Sequence, residues 1–551
     1  MEKVWLKNYP EKVQQTIDIE QYANLAEILA ETVEKYGDKP AVTNLGLTLT
    51  YQELAQKVDD FAAYLQNDLG LEKGDKLALM MPNLLQYPIS LFGALKAGLA
   101  VVNVNPLYTP RELAHQLNDS GAKSIVILAN FSNTLAEALD KVELDNIIVT
   151  QVGDICPQPK RFIVNFVVKY IKKMVPKADL PETISFVDAL GKGSQQTFKP
   201  VEIGHDDVAF LQYTGGTTGV AKGAVLSHKN MVANVLQTYA WMGPFLNEGD
   251  ETIITALPLY HIFSLCVNCL LFTKAAGHNI YITNPRDMKD FCKTLRAHPF
   301  TTLTGVNTLF NGLLNQESFR QLDFSKLKLT VGGGMAVQKS VAEEWQKLTN
   351  TPLLEGYGLT ETSPVVSMNP LDLDAYNGTI GLPIPSTDVQ VRDEDGNELG
   401  FDEPGELWVK GPQIMVQYLG RPKETDEVLQ DGWLATGDMA TIDEDGYLRI
   451  VDRKKDMILV SGFNVYPNEI EDIVALHPGV LEVAAIGEPD DVKGEVVKIV
   501  VVKKDPAVDK DTLIAHCREH LTGYKIPKVV EFREELPKSN VGKILRKELR
   551  K

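Results

Sequence analysis

Residues 208–226 read Val208-Ala-Phe-Leu-Gln-Tyr-Thr-Gly-Gly-Thr-Thr-Gly-Val-Ala-Lys-Gly-Ala-Val-Leu226. Two apolar, strand-like runs flank a loop holding four glycines, three threonines and one lysine between Tyr213 and Gly223. Such a loop offers backbone N–H groups, hydroxyls and a cation, the donors that wrap phosphate oxygens. It is not a Walker A loop, in which Gly-Lys is followed at once by Ser or Thr; here Lys222 follows Ala221 and precedes Gly223. The competing reading is a flexible Gly/Thr turn without a ligand.

Working outward, the first half alternates apolar strands with amphipathic helices. Residues 76–81, 123–128 and 146–149 read as strands, and residues 87–96 and 133–142 as helices. That alternation predicts parallel βαβ layers. Beyond about residue 385 the period shortens to two, with Asp395-Gly396 and Asp445-Gly446 at the turns, so antiparallel hairpins are expected. A charged run, Asp452-Arg-Lys-Lys-Asp456, precedes a last stretch with a strand at 496–502 and helices at 469–476 and 511–521. The expected fold class is α/β. A large N-terminal domain (1–451) of layered α/β subdomains plus a β-barrel-like subdomain is joined by a hinge (452–456) to a small mobile α+β C-terminal domain (457–551).

Fifty-five basic against 74 acidic residues give a net charge of −19, which argues against general nucleic-acid binding. Five cysteines without framework spacing, and a start lacking an apolar signal core, predict a reduced, cytoplasmic protein. Cys266 and Cys269 have metal-like spacing but lie in an apolar run, read as a buried helix. No stretch of 18 uninterrupted apolar residues occurs, so no membrane span is expected.

Residues 160–177 carry six basic residues and no acid. On a helix Phe162, Phe166 and Tyr170 share one face, with Ile163, Val167 and Met174 alongside. Two readings stand: a helix lying in lipid headgroups, or a core helix with a solvated basic face.

Four further islands bear on the glycine loop: Gly332-Gly-Gly334, Glu355-Gly-Tyr-Gly-Leu-Thr-Glu361, Trp433-Leu-Ala-Thr-Gly-Asp438 and Pro537-Lys-Ser-Asn-Val-Gly-Lys543. Each alone has a bland reading as turn or surface. In this order and spacing they resemble the adenylate-forming superfamily of acyl-CoA synthetases, luciferases and peptide-synthetase adenylation domains. The resemblance runs from Tyr22 to the C-terminus. Met80-Met-Pro-Asn-Leu-Leu-Gln-Tyr87, Asn103-Val-Asn-Pro-Leu-Tyr-Thr-Pro110 and Val460-Ser-Gly-Phe-Asn-Val-Tyr-Pro-Asn-Glu469 are similar to its bacterial long-chain acyl-CoA synthetase branch.

The resemblance implies ATP-dependent conversion of a long-chain fatty acid to an acyl-adenylate and then to acyl-CoA, with Mg²⁺ required. It implies that Tyr213, Thr214, Gly215, Gly216, Thr217, Thr218, Gly219 and Lys222 hold the β- and γ-phosphates, and that Glu361 and Thr214 ligate Mg²⁺. Tyr357 with Gly333 and Gly334 would sandwich adenine, with Glu355, Gly356, Gly358 and Thr360 completing the nucleotide wall. Asp438 would hold the ribose, reinforced by Arg453. Lys543 would bridge carboxylate and α-phosphate, so that Lys543, Glu361, Lys222 and Thr214 form the catalytic set. In the thioester step, rotation about Lys455 would bring Gly462 and Phe463 to the adenylate.

Leu257-Pro-Leu-Tyr-His-Ile-Phe-Ser264 resembles the family's acyl-channel segment, placing His261, Phe263 and Val306 at the acyl group. The other reading of His261 is a core histidine. A channel gains about 0.8 kcal/mol per buried methylene, yet chain length is not countable from these residues, and a medium-chain or aryl acid remains the alternative substrate. Peripheral attachment to the inner face of the cytoplasmic membrane is the expected localisation; oligomeric state is left open, a homodimer included.

Overall fold

The computed structural model describes residues 2–214, 221–461, 463–490 and 494–550. The phosphate-type loop residues Gly215, Gly216, Thr217, Thr218 and Gly219, and also Gly462, lie outside the described residues.

Two large sheets carry the chain to residue 383. In the eight-stranded sheet, Ala100–Asn103, Lys76–Met80, Ser124–Leu128 and Asn146–Thr150 run parallel, and Val208–Thr214 joins them beside Ala100–Asn103. Lys222–Ser227 returns antiparallel to Val208–Thr214, with Thr214 opposite Lys222. Gln417–Tyr418 closes that edge. The nine-stranded sheet has a parallel centre of Leu353–Gly358, Leu329–Gly332, Thr302–Gly305, Thr252–Thr255, His278–Tyr281 and Pro40–Asn44. The apolar strands are buried on both faces, as parallel layers require. Between the sheets run Gln86–Lys96, every residue of which is buried except Lys96, and His228–Met242. The largest core joins side chains of both sheets, from Leu77, Leu79 and Val101 to Val42 and Tyr281.

The period-2 region forms a five-stranded antiparallel sheet of Asp388–Arg392, Gly405–Lys410, Trp433–Ile442, Leu429–Gln430 and Leu448–Arg453. The last hundred residues build a second five-stranded sheet around Gly494–Lys503, with helices Pro467–Ala475 and Lys510–His520 and a small core of their own. Cys266 and Cys269 are buried in the helical Ser264–Leu271 segment.

Two expectations need correction. The helix expected at 133–142 is split into Ser132–Ala136 and a tight turn, Leu139–Lys141, whose Lys141 N–H bonds back only three residues, to Ala138. The basic segment is helical from Lys160 to Ile171, its second half wound with the wider π pitch. It stops before 177 because Lys173 turns left-handed (φ 52°) and Pro176 cannot continue the ladder. Its apolar face is not in the core: Phe162, Tyr170 and Ile171 are 64%, 59% and 66% exposed.

Candidate active site

Four adjacent parallel strands deliver the cleft. Thr252–Thr255, Thr302–Gly305, Leu329–Gly332 and Leu353–Gly358 end side by side, and the residues that follow them or close them are Leu257–Ser264, Val306, Gly333–Gly334 and Tyr357. Carboxyl ends of parallel strands are where open α/β sheets bind ligands.

Gly334 has a left-handed φ of 77°, and a Cβ there would sit 3.2 Å from Lys543 Cε. The same virtual carbon would lie 3.7 Å from Val306 Cγ1, and one on Gly333 would lie 3.1 Å from Phe263. Lys543, Gly333, Gly334, Val306 and Phe263 therefore share one locus. The Lys543 loop is docked there by Thr308, whose hydroxyl donates to the Gly542 carbonyl at 3.0 Å. His261 is half-buried in the neighbouring turn, its Nδ1 accepting from Phe263 N at 3.3 Å. Burial first, then the Lys543 charge, pushes this imidazole down to about 3, so it is neutral.

Beside that locus, Tyr357 donates to Asp438 Oδ2 at 2.6 Å and Arg453 Nε stands 3.4 Å from Asp438 Oδ1. Cross-strand pairing of Asp438 with Arg453 fixes this geometry. Burial raises the Asp438 carboxyl and the Arg453 cation opposes it. On the third side, Glu361 Oε1 accepts from Tyr418 at 2.6 Å, and Lys222 Nζ lies 5.1 Å over the Tyr418 ring. Glu361 is the middle residue of the short turn Thr360–Thr362, which follows a close crossing at Gly358, where a Cβ would stand 1.9 Å from the Pro364 carbonyl oxygen. A cavity of about 430 Å³ joins Glu361 and Tyr418 to Thr436 and Lys454. The Lys543 ammonium is lowered to about 8, first by burial and then by the Arg453 charge, with Asp438 and Glu361 opposing.

Other expected residues sit differently. Tyr213 directs its hydroxyl to Asp119 Oδ2 at 2.8 Å, and Asp119 is paired with Arg421. Buried Glu355 accepts from Val337 N at 2.7 Å; burial raises it to about 8. It thereby shapes the loop after Gly334. Gly356 pairs with Met368 behind the cleft wall. Lys455 lies in the turn after Arg453, and Phe463 is 56% exposed, its ring stacked on Tyr524 within the C-terminal unit. Phe463 is thus not gathered with Lys543 in this arrangement.

Tyr418 and Thr308 carry no motif and were missed by the sequence reading, and Tyr87 was quoted only as part of the Met80–Tyr87 resemblance, without a role. Tyr87 is one member of a buried relay. Its hydroxyl lies 2.7 Å from Asn103 Oδ1 and 2.8 Å from the Leu259 carbonyl; Asn103 donates to Gln212 at 3.1 Å, and Gln212 to the Tyr260 carbonyl at 2.6 Å. The relay ties the strand entering the glycine loop to the acyl turn.

Glycine turns at parallel strand ends, a buried acid held by Tyr357 and Arg453, and a lysine from the C-terminal unit make this the site of an adenylate-forming enzyme. The chain belongs to the AMP-binding enzyme family, whose model matches residues 29–419, with the AMP-binding enzyme C-terminal domain at 469–543. It is 60% identical over 550 residues to the long-chain-fatty-acid–CoA ligase of Yersinia pestis, covering 100% of this chain and 98% of that one. Its fold matches that of an anthranilate CoA ligase in complex with anthranoyl-AMP, with a TM-score of 0.86 over 97% of this chain and 98% of the other at 24% identity. ATP-bound MatB from Rhodopseudomonas palustris is 30% identical with a TM-score of 0.78, over 96% and 98% of the two chains.

Proposed function

We infer that this cleft joins a fatty acid to AMP and then passes the acyl group to CoA. The activity is ATP-dependent activation of long-chain fatty acids to acyl-CoA, with release of AMP and pyrophosphate. An aryl or medium-chain acid is not favoured at this level of similarity to long-chain ligases. The observation that carries the site assignment is Lys543 seated against Gly334 at the strand ends, with Asp438 hydrogen-bonded to Tyr357 on the neighbouring strand end.

A carboxylate is a poor electrophile, and coupling it to AMP supplies a good leaving group. The fatty acid is already ionised near neutral pH, so its attack on the α-phosphorus needs no general base. Charge grows on the α-phosphate and the departing pyrophosphate, and fixed cations and N–H groups lower that barrier. Lys543 is assigned to the α-phosphate and attacking carboxylate, Lys222 and the glycine loop to the β- and γ-phosphates, and Asp438 to the ribose hydroxyls. Tyr357 with Gly333 and Gly334 is assigned to adenine, and His261, Phe263 and Val306 to the acyl entrance. One carboxylate with a nearby threonine hydroxyl suits Mg²⁺, which takes few protein oxygens and completes its shell with phosphate and water. Glu361, with Oε1 steadied by Tyr418, and Thr214 are that pair; bound there, the ion neutralises phosphate charge. For the thioester step, the segment 452–456 is proposed as a hinge that withdraws Lys543 and turns Gly462 and Phe463 toward the adenylate.

The test separates the half-reactions. Lys543→Ala should abolish palmitate-dependent ATP–pyrophosphate exchange yet transfer acyl groups from supplied palmitoyl-AMP to CoA. Gly462→Leu should do the reverse. Equal damage to both steps in either variant would refute the assignment. AMP release with butyrate, octanoate, palmitate, oleate and a cinnamate, with and without CoA, ranks the substrates.

Reversible attachment to the inner face of the cytoplasmic membrane is proposed through Lys160–Ile171. The rings of Phe162, Phe166 and Tyr170 follow one another along one exposed face, 5.8 and 5.1 Å between centroids, among basic residues in an acidic chain. Aromatic rings with lysines at their margin suit an anionic headgroup layer. No helix among the described residues is long and apolar enough to cross a membrane. Changing Lys169, Lys172 and Lys173 to Glu should weaken flotation with phosphatidylglycerol vesicles; unchanged flotation would refute the attachment.

A further inference from the structure

Arg546 lies three residues beyond Lys543, and its role is not explained by the cleft. Its side chain is only 14% exposed and is shared among four partners. Nη1 donates to Asp452 Oδ1 at 3.0 Å, Nη2 to Asn468 Oδ1 at 2.6 Å, and Nη2 and Nε to the two oxygens of Glu471 at 2.7 and 2.9 Å. Asp456 Oδ2 stands 3.7 Å from Nη1, and Arg550 adds a second contact to Asp456 at 3.2 Å. Asn468 and Glu471 belong to the helix Pro467–Ala475 of the C-terminal unit. Asp452, 1% exposed at its side chain, belongs instead to the strand Leu448–Arg453, paired to Trp433–Ile442 next to Asp438.

The guanidinium thus bridges two bodies. One side is the ribose-side strand, one residue before Arg453; the other is the tail that presents Lys543. The tail between them is stiff: Ser539 N bonds to the Lys543 carbonyl at 2.7 Å, Gly542 N to Ser539 O at 3.0 Å, and Leu545 N to Pro537 O at 2.8 Å. Orientation imposed at Arg546 is therefore passed to Lys543. Thr308 fixes the tip of the same loop at Gly542, so the lysine is mounted at two points.

We propose that Arg546 is a positioning residue for adenylate formation, clasping Asp452 so that the C-terminal tail holds Lys543 in the cleft. The proposal rests on the two-step reading above. On that reading the pivot is Lys455, after Asp452, so rotation would carry Arg546 away from Asp452; the clasp then belongs to the adenylating arrangement and is released for thioester formation. Charge-assisted, bidentate contacts supply the geometric definition such a mount needs. A displacement of Lys543 of about 1 Å is enough to cost up to roughly 100-fold in rate.

The experiment compares Asp452→Asn, Arg546→Gln and Arg546→Lys in the full-length enzyme, with Lys543→Ala as control. Palmitate-dependent ATP–pyrophosphate exchange reads the first step, and CoA transfer from supplied palmitoyl-AMP reads the second. Asp452→Asn and Arg546→Gln should lower kcat of exchange by about 10- to 100-fold with KM for ATP little changed, while CoA transfer stays within about threefold. Arg546→Lys should recover part of the loss. Asp452→Asn is nearly isosteric and carries the test if Arg546→Gln does not fold. Exchange within about threefold of the parent in Asp452→Asn, or equal loss in both steps, overturns the clasp. If Lys543→Ala also fails to separate the steps, the two-step reading has failed instead.

Discussion

Tyr418 donates a 2.6 Å hydrogen bond to Glu361 Oε1 from 57 residues away, while Lys222 Nζ rests 5.1 Å over its ring. One phenol thus orients both the carboxylate assigned to Mg²⁺ and the lysine assigned to phosphate. Tyr418→Phe keeps the ring and removes the hydroxyl. A lost partner of this kind costs about 10- to 100-fold in metal affinity. The Mg²⁺ concentration giving half-maximal exchange should rise by about that factor, with palmitate KM unchanged. A parental Mg²⁺ titration would remove Tyr418 from the account.

Asp438 is buried, and Arg453 is the first of the groups that oppose the rise this burial causes. Burial pulls its carboxyl upward, and Arg453, 3.4 Å away, pulls it back. Only the carboxylate accepts both ribose hydroxyls, so binding is lost as pH falls through the folded value. Arg453→Met removes the opposing charge and moves that loss to higher pH. The increase in KM for ATP should therefore be larger at pH 6 than at pH 8. An equal increase at both pH values would mean that Arg453 acts by contact with ATP alone.

Much of this was legible in the sequence because backbone chemistry dictates it. Parallel strands buried on both faces must be continuous apolar runs, as at 76–80 and 124–128, and strand-end turns at Gly333–Gly334 need residues without Cβ. The ribose acid and its arginine were legible by resemblance, and the strand pairing explains why they meet. Tyr418 was not legible: it reaches Glu361 through an edge pairing with Ala224 across almost 200 residues. Arg546 was hidden in a run of solvated-looking C-terminal charges, since only the fold brings Asp452 and Glu471 around it. For the 160–177 segment, periodicity gave the aromatic face but not its burial, because burial depends on what packs opposite.

Lys543 sets an alkaline limit. Burial and Arg453 lower its ammonium to about 8, and only the ammonium can steady negative charge on the α-phosphate. Adenylation is then fully supported below that value and falls as pH rises through it. The kcat/KM for ATP in exchange, which reports the free enzyme, should decline above about pH 8. Lys543→Arg keeps a charge that does not titrate there, so its residual activity should stay flat over the same range. A decline of the same shape in the arginine variant would assign the limb to another group.

Asn103 links the two halves of the substrate site. Its Oδ1 lies 2.7 Å from the Tyr87 hydroxyl and its Nδ2 donates to Gln212 at 3.1 Å, with the side chain 4% exposed. Gln212 precedes Tyr213 and Thr214 on the strand into the glycine loop, and both Tyr87 and Gln212 hold carbonyls of the Leu259–Tyr260 turn. Asn103→Ala leaves Gln212 Oε1 without its donor in a dry core, while the single Tyr87 proton still has the Leu259 carbonyl. An unpaired buried group costs about 1–3 kcal/mol, so the urea midpoint should fall measurably. Because the relay serves strand and turn together, KM should rise for both ATP and palmitate, whereas a change confined to one pocket would raise only one. Stability lost with both KM values intact would show that the relay only supports the core and does not register the two binding segments against each other.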